Sequence, residues 1–320
     1  MKVLHDTITK LTLPTPYAVG DVHVYLLKGD TLSLIDAGVK TKEAWEALTY
    51  QLKQIGYQPN DIEQIILTHH HPDHIGLVGE FSRIQTIAGH SINNLWLTRN
   101  KSFLKRYQQF FNDYFVASGV PDSYMQFLDK LDLPLRYAGV GELTAKLDEG
   151  DVLPGHGDWQ VIETKGHAQS HLSFLREADG AFLAGDHLLK HISPNPLLEP
   201  PIDEESERPK PILQYRTNLL KCLSLDIKTV YPGHGEIFTN VAELIPARLE
   251  KQEQRAAKVL DMLKEKEHTP FEICKKLFPK HIDHELDLTI SETIGQLDFL
   301  ENEGYITKYS DNDVFVYHVK

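Results

Sequence analysis

The sequence predicts an α/β fold with a large first domain over residues 1–240 and a small second domain over residues 241–320. Three observations predict it: strand-like alternation near the N-terminus, a short apolar strand followed by a dense group of polar residues, and helical periodicity after residue 240. The chain of 320 residues contains 41% hydrophobic and 25% charged residues, so it has enough apolar material for a packed core.

The first domain begins with strands. Alternation over residues 22–27 predicts one strand, and Gly29-Asp30 turns the chain into a second strand over residues 31–35. Apolar residues at helical spacing predict a helix from about Glu43 to Ile55. A short apolar strand follows at residues 62–67. We therefore expect a sheet with helical crossovers in this part of the chain.

An insertion over about residues 91–145 is predicted to be helical and rich in aromatic residues. It carries no spacing typical of metal ligands, and its aromatic side chains are interpreted as core, with a lid over a cleft as the alternative. Strand-like segments return between residues 159 and 183, and another strand is predicted at residues 229–231.

The second domain is predicted to contain three helices and a terminal hairpin. Thr269-Pro270-Phe271-Glu272 is a capping box with proline at the first helical position, which is a strong helix start. Another helix is expected over residues 289–302, and strands over 305–309 and 314–319. This order of elements is typical of a winged helix.

The strongest functional signal is a group of four polar residues directly after the apolar strand: His69, His71, Asp73 and His74. A turn that leaves a buried strand can aim several side chains at one point. Imidazoles suit zinc and iron, and an added carboxylate allows a second ion to bind close by. Four such residues within six positions rarely arise from core packing, so the sequence predicts a metal site here.

This stretch resembles the HxHxDH motif of the metallo-β-lactamase superfamily, and four further motifs stand in the family's order. Their key residues are Asp36 in an early Asp-Ala-Gly, His167 in Gly-His-Ala-Gln-Ser-His, Asp186 in Ala-Gly-Asp-His and His234 in Pro-Gly-His-Gly. The resemblance covers about residues 1–240. It implies a four-layer αββα metallo-β-lactamase fold, with the winged-helix-like unit as a small C-terminal domain.

The resemblance also implies two divalent metal ions. One ion is expected on His69, His71 and His167, the other on Asp73, His74 and His234, and Asp186 is expected to bridge them. Asp36 is expected to orient a ligand from behind it. His171 is expected either to share that supporting role or to face the substrate. We expect zinc, while iron and manganese also suit these ligands.

The activity implied is that of a glyoxalase-II-like hydrolase, in which a hydroxide bridging the ions attacks an ester, thioester or lactone. Asp73 is the candidate catalytic residue, because it could orient the hydroxide or take its proton. True β-lactamases of this fold usually lack the bridging aspartate, so Asp186 argues against antibiotic hydrolysis. The oxygen-reducing di-iron relatives have glutamate at the second histidine position, so His71 argues against them.

Three other functions stay open. Superfamily members with a C-terminal winged helix include single-strand-specific ribonucleases, and this is the main alternative. A nucleic-acid-binding regulator and a persulfide dioxygenase are less favoured. The formal net charge of -13 argues against non-specific nucleic-acid binding. Residues 251–320 hold 10 Lys/Arg against 14 Asp/Glu, so we interpret this unit as a packing or dimerising element.

A small-molecule substrate is therefore expected, with RNA as the alternative partner and a homodimer compatible with the second domain. No run of about 18 apolar residues occurs, so no membrane association is expected. The two cysteines are too few for a disulfide framework and fit a reducing compartment. We expect a cytoplasmic protein.

Overall fold

The computed structural model describes residues 7–203 and 206–320, so the first six residues of the predicted first domain lie outside it. One sheet has six strands in the spatial order of the chain. They are β1 (Thr7–Leu13), β2 (Val22–Lys28), β3 (Leu32–Ile35), β4 (Gln64–Ile66), β5 (Thr86–Gly89) and β6 (Ala145–Lys146). The first three strands pair antiparallel, and β3 to β6 pair parallel.

A second sheet has five strands. They are β7 (Val152–Leu153), β8 (His156–Glu163), β9 (Leu172–Arg176), β10 (Ala181–Gly185) and β11 (Thr229–Pro232). Their spatial order is β11-β10-β9-β8-β7. The pair β10 and β11 is parallel, and the other pairs are antiparallel.

The two sheets pack face to face over a shared apolar core. Tyr25 and Ile66 from the first sheet join Trp159, Phe174 and Leu183 from the second in one buried cluster. Every residue of β9 and β10 is buried, so both faces of these strands are covered. The α/β class predicted from the sequence is confirmed.

Eight α-helices occur in the described residues. They are α1 (Lys42–Gln54), α2 (Pro72–Ile75), α3 (Asn93–Leu97), α4 (Lys101–Ala117), α5 (Pro211–Ser224), α6 (Val241–Glu265), α7 (Pro270–Leu277) and α8 (Leu286–Asn302). Short 3-10 helices cover Pro59–Asp61, Val78–Glu80, Asp122–Lys130 and Leu133–Tyr137. The chain ends in a hairpin of β12 (Ile306–Asp311) and β13 (Val314–Val319). Among these helices, none is long and apolar enough to cross a membrane.

The chain divides into two compact units, each built from three stretches of sequence. The first contains Met1–Asn100, Leu133–Pro194 and Lys221–Val241. The second contains Lys101–Asp132, Asn195–Leu220 and Ala242–Lys320. Part of the 91–145 insertion thus groups with the C-terminal helices. The division of the chain into separate domains at residue 240 therefore stays a prediction.

The second unit has its own apolar core. Phe111 and Phe115 of α4 pack with Phe271 of α7 and Ile290 of α8. A second cluster joins α6, α8 and the hairpin, with Val259, Leu297 and Tyr317 among its members. The three helices and the hairpin follow in the predicted order, while their assignment as a winged helix stays a prediction.

Candidate metal centre

Loops at one edge of the sheet sandwich carry the predicted metal ligands. The segment after β4 leads into α2, which begins with proline at its first position. The β8–β9 loop and the ends of β10 and β11 supply the other ligands. Since β10 and β11 are parallel, their carboxyl ends meet at the same edge. The side chains delivered there are His69, His71, Asp73, His74, His167, Asp186 and His234.

The structure brings all seven side chains together in three overlapping groups. In each group the nitrogen and oxygen atoms that could hold a metal ion lie within 4.8 Å of one another. The groups are His69 with His71 and His167, His69 with His74 and Asp186, and Asp73 with His74 and His234. The first and third groups contain the same residues as the two predicted ligand sets. The second group shares His69 with the first and His74 with the third, and it adds Asp186.

The Asp186 carboxylate occupies the middle of the cluster. Its oxygens lie 3.5 Å from His74 Nε2, 3.6 Å from His167 Nε2 and 3.4 Å from His234 Nε2. Asp73 Oδ2 lies 3.3 Å from the same His234 nitrogen. One carboxylate therefore reaches histidines of both ligand sets, which is the arrangement a bridging ligand needs.

Two buried polar atoms of the cluster indicate that the site fits cations. Among the described residues, His74 Nε2 and Asp186 Oδ1 are buried and make no hydrogen bond, and they face each other at 3.5 Å. Leaving such atoms unsatisfied is unfavourable. Imidazole nitrogens and carboxylate oxygens are ligands that divalent zinc, iron and manganese accept. The residues present therefore fit a pair of divalent ions.

Asp36 hydrogen-bonds to the segment that carries the candidate ligands His69 and His74. Its carboxylate accepts hydrogen bonds from the Thr68 backbone N–H, from the Thr68 hydroxyl and from His74 Nδ1, each at 2.8 Å. The Thr68 oxygen in turn lies 3.0 Å from His69 Nδ1. Because this network assigns the proton of each ring to Nδ1, Nε2 of His69 and His74 is left to face the cluster.

His171 lies beneath the cluster and does not face outward. Its Nε2 accepts a hydrogen bond from the Asp186 backbone N–H at 3.0 Å. Its Nδ1 lies 2.8 Å from the Thr164 hydroxyl. Since both ring nitrogens are engaged and the side chain is buried, the geometry supports the first of the two expected roles, in which His171 positions Asp186.

Strand β2 and the residue before it hold the loop that carries His234. The Asp21 carbonyl lies 2.8 Å from His234 Nδ1, so Nε2 again faces the cluster. The Tyr25 hydroxyl donates to the Pro232 carbonyl at 2.6 Å. The His23 backbone N–H donates to the Gly233 carbonyl at 2.7 Å. Sequence reasoning missed these three supports, because contacts across more than 200 positions leave no local signal.

Gly233 allows the ligands to approach one another. A Cβ atom at this position would lie 2.2 Å from Asp186 Oδ1 and 2.9 Å from His74 Cε1. Neither neighbour is a flexible chain end, so no larger residue fits without moving a ligand.

Burial sets the charge of one group of histidines. Burial is the largest cause that lowers the pKa of His69, His71 and His171 well below the usual value. These rings are therefore neutral, which is the form that binds a metal ion.

The carboxylates set the charge of a second group. Burial alone would lower the pKa of His234, but Asp186 and Asp73 outweigh it and raise that pKa to about 10. The pKa of His74 is likewise raised well above its usual value against burial, chiefly by Asp186 and Asp36. Burial would raise the pKa of Asp186, yet the neighbouring His234 and His74 hold it well below its usual value. The acidic ligands are thus ionised.

His70 lies inside the motif but outside the cluster. Its ring stacks on Trp96, with ring centroids 4.6 Å apart, and its Nδ1 lies 2.8 Å from the Ser170 hydroxyl. Burial lowers its pKa to about 3. These contacts make His70 a neutral packing residue.

The chain belongs to the metallo-beta-lactamase superfamily, whose family model matches residues 17–234. It is similar to the "Probable metallo-hydrolase YqjP" of Bacillus subtilis (strain 168), with 42% identity over 304 residues and 95% of each chain covered. A crystal structure of a metallo-beta-lactamase family protein from Thermus thermophilus matches with a TM-score of 0.80, 26% identity and 98% of each chain covered. The predicted metallo-β-lactamase fold is thereby confirmed.

A more distant relative carries a specific activity in its name. The "Atrochrysone carboxyl ACP thioesterase" of Aspergillus fumigatus is 27% identical over 101 residues, which cover 32% of this chain and 28% of the relative. This likeness is confined to about a third of the chain.

Proposed function

We propose that the protein is a hydrolase that uses two divalent metal ions to cleave an ester, thioester or lactone. The observation that carries the proposal is the position of Asp186, whose carboxylate lies 3.4 to 3.6 Å from Nε2 of three histidines. Membership of the superfamily and the metallo-hydrolase name of the Bacillus relative support it.

In this proposal each ion has its own ligands. His69, His71 and His167 would hold one ion, Asp73, His74 and His234 the other, and Asp186 would contact both. Zinc is the proposed metal, because it suits this set of imidazoles and carboxylates. When bound, such ions lower the pKa of a water molecule and polarise the scissile carbonyl group.

The protein's own residues would orient the reactants. Burial would raise the pKa of Asp73, but His74 and His234 outweigh it, so the pKa is lowered and Asp73 is ionised. An ionised carboxylate can accept a hydrogen bond from the attacking water and take its proton. Asp36 and His171 would keep His74 and Asp186 in place through the hydrogen bonds described above.

Thioesters are the first substrates to test. The thioesterase name of the Aspergillus relative supports this choice, although the likeness covers only 32% of the chain. We propose the cytoplasm as the site of the reaction, on the basis of the two free, buried cysteines Cys222 and Cys274.

Replacement of Asp186 tests the proposal. We expect Asp186→Ala to lose bound metal and hydrolytic activity together, because it removes the carboxylate shared by both ligand sets. Elemental analysis and hydrolysis of a thioester, an ester and a lactone measure the two effects. Asp226→Ala changes an exposed carboxylate and should retain both. Full turnover by Asp186→Ala would contradict the proposal.

A further inference from the structure

A tyrosine hydroxyl outside the ligand set is buried without a partner. Tyr17 lies in the loop between β1 and β2, and its phenol oxygen makes no hydrogen bond to any described residue. A buried hydroxyl without an acceptor is unfavourable. Its proton is therefore available to an acceptor that the chain itself does not provide.

The loop around Tyr17 is internally braced and tied to a metal ligand. The Thr15 hydroxyl donates to the Gly20 carbonyl at 2.6 Å and accepts from the Tyr17 backbone N–H at 3.1 Å. The Gly20 backbone N–H donates to the Tyr17 carbonyl at 3.1 Å. The next residue, Asp21, supplies the carbonyl that holds His234 Nδ1. The loop that orients one ligand thus also positions the phenol.

A second set of contacts links the Tyr17 ring to the helix that carries Asp73. The ring of Tyr17 packs edge-on against the ring of Tyr137, with centroids 5.9 Å apart. The segment after Tyr137 lies against α2, where the Gly139 backbone N–H donates to the Ile75 carbonyl at 3.1 Å. Helix α2 carries Asp73. After burial, the charge of Asp73 is the next largest cause that raises the pKa of Tyr17 above its usual value. The phenol therefore keeps its proton.

We propose that the Tyr17 hydroxyl donates a hydrogen bond to the substrate's carbonyl oxygen and stabilises the negative charge that develops there. A fixed donor at this position acts most strongly in the transition state, because the oxygen gains charge only as the water attacks. The inference rests on the proposed hydrolase function and makes Tyr17 a catalytic residue, since its hydroxyl touches the reacting group.

Tyr17→Phe tests the donor, because it removes the hydroxyl and keeps the ring that packs on Tyr137. With the zinc-loaded full chain and S-phenyl thioacetate or p-nitrophenyl acetate as substrate, we expect kcat to fall about 100-fold. KM and zinc content should stay close to those of the unchanged protein. The matched control is Tyr50→Phe, which alters a 64% exposed tyrosine and should leave kcat unchanged.

Binding of methylphosphonate gives a readout that does not need turnover. Its tetrahedral, negatively charged oxygens resemble the attacked carbonyl group, so calorimetry should show about tenfold weaker binding to Tyr17→Phe than to the unchanged protein. Equal kcat and equal methylphosphonate affinity in the two proteins would overturn the inference. A fall in kcat accompanied by zinc loss would also overturn it, because Tyr17 would then only support the His234 loop.

The two proposals can fail separately. Tyr17-dependent methylphosphonate binding in a protein that cleaves no ester, thioester or lactone would refute the proposed function and support the donor role. Hydrolysis that is indifferent to Tyr17→Phe would support the proposed function and refute the donor role.

Discussion

Asp36 combines an unusual backbone conformation with three hydrogen bonds to the ligand network. Its φ of 61° lies in the left-handed region, which is costly for a residue with a side chain. The conformation aims both carboxylate oxygens at the segment after β4, where they meet Thr68 and His74. The hydrogen bonds offset the backbone cost and fix the direction of two candidate metal ligands, His69 and His74.

Asp36→Asn should therefore weaken metal binding without removing a ligand. An amide has only one acceptor oxygen, so its NH2 group must face donors on one side: either the Thr68 backbone N–H, or the Thr68 hydroxyl and His74 Nδ1. We expect the metal dissociation constant to rise about 10- to 100-fold, as is common when a group that orients a ligand is changed. Competition with a chelator measures it, and Asp226→Asn is the exposed control. Unchanged affinity would show that Asp36 does not orient His74.

Metal binding should be strongly coupled to pH. In the metal-free protein the pKa of His234 is about 10, so its ring carries a proton at neutral pH that must leave before an ion binds. We expect metal affinity to rise between pH 7 and about pH 10. Calorimetry in two buffers of different ionisation enthalpy counts the protons released at pH 7.5, and zero release would contradict this prediction.

The raised pKa of His234 also predicts how the stability of the metal-free protein depends on pH. The pKa of His234 is raised from 6.5 to about 10 on folding, so the protonated ring contributes stability fully below about pH 6.5. That contribution is lost as the pH rises through 10. The melting temperature of chelator-treated protein should therefore fall across this window, and a rise would contradict the assignment.

Helix α7 shows what local sequence can predict at the level of an element. The Thr269 side chain accepts from the Glu272 backbone N–H, and the Glu272 carboxylate accepts from the Thr269 backbone N–H, as the capping box predicts. Thr269→Ala should lower the free energy of unfolding by about 1 kcal/mol. Urea denaturation measures the change, with Lys275→Ala on the exposed face as the control. An unchanged midpoint would mean that other contacts hold this helix start.

The helical insertion shows what local sequence could not predict. Its periodicity indicates continuous helix, but α3 ends at Leu97 and α4 begins at Lys101. Arg99 between them has a φ of 52°, and its guanidinium donates to the carbonyls of Leu135 and Ala138 at 2.8 Å each. These partners lie more than 30 positions away, so a tertiary contact decides the break.

In the candidate metal centre, too, one part could be predicted from local sequence and another part could not. The ligands were predictable because metal chemistry demands particular residue types at short spacing. The residues that support them were not predictable: Asp21 acts through a backbone carbonyl, and Tyr25 is an ordinary residue of a strand. Similarly, no local pattern indicates that residues 101–132 and 195–220 form one compact unit with the C-terminal helices.

The net charge of the whole molecule argues against the two alternatives that involve nucleic acid, a ribonuclease and a regulator. With a formal net charge of -13, we expect no retention of duplex or single-stranded oligonucleotides in a gel shift at physiological salt, and no cleavage of single-stranded RNA. Retention that weakens as salt increases would favour a regulator. Cleavage of RNA that is lost in Asp186→Ala would favour the ribonuclease. A homodimer stays a prediction.

The hydrogen bonds from Asp21 and β2 to the 232–235 loop have a consequence for biosynthesis. On the ribosome, residues 69–74 emerge about 160 positions before His234, whose ring is held by the Asp21 carbonyl. A nascent chain that stops short of His234 already displays its first four ligands, yet it lacks the residue that closes the second set. Under the proposed function, the second ion could gain all of its ligands only after the N-terminal strands have met the loop that carries His234.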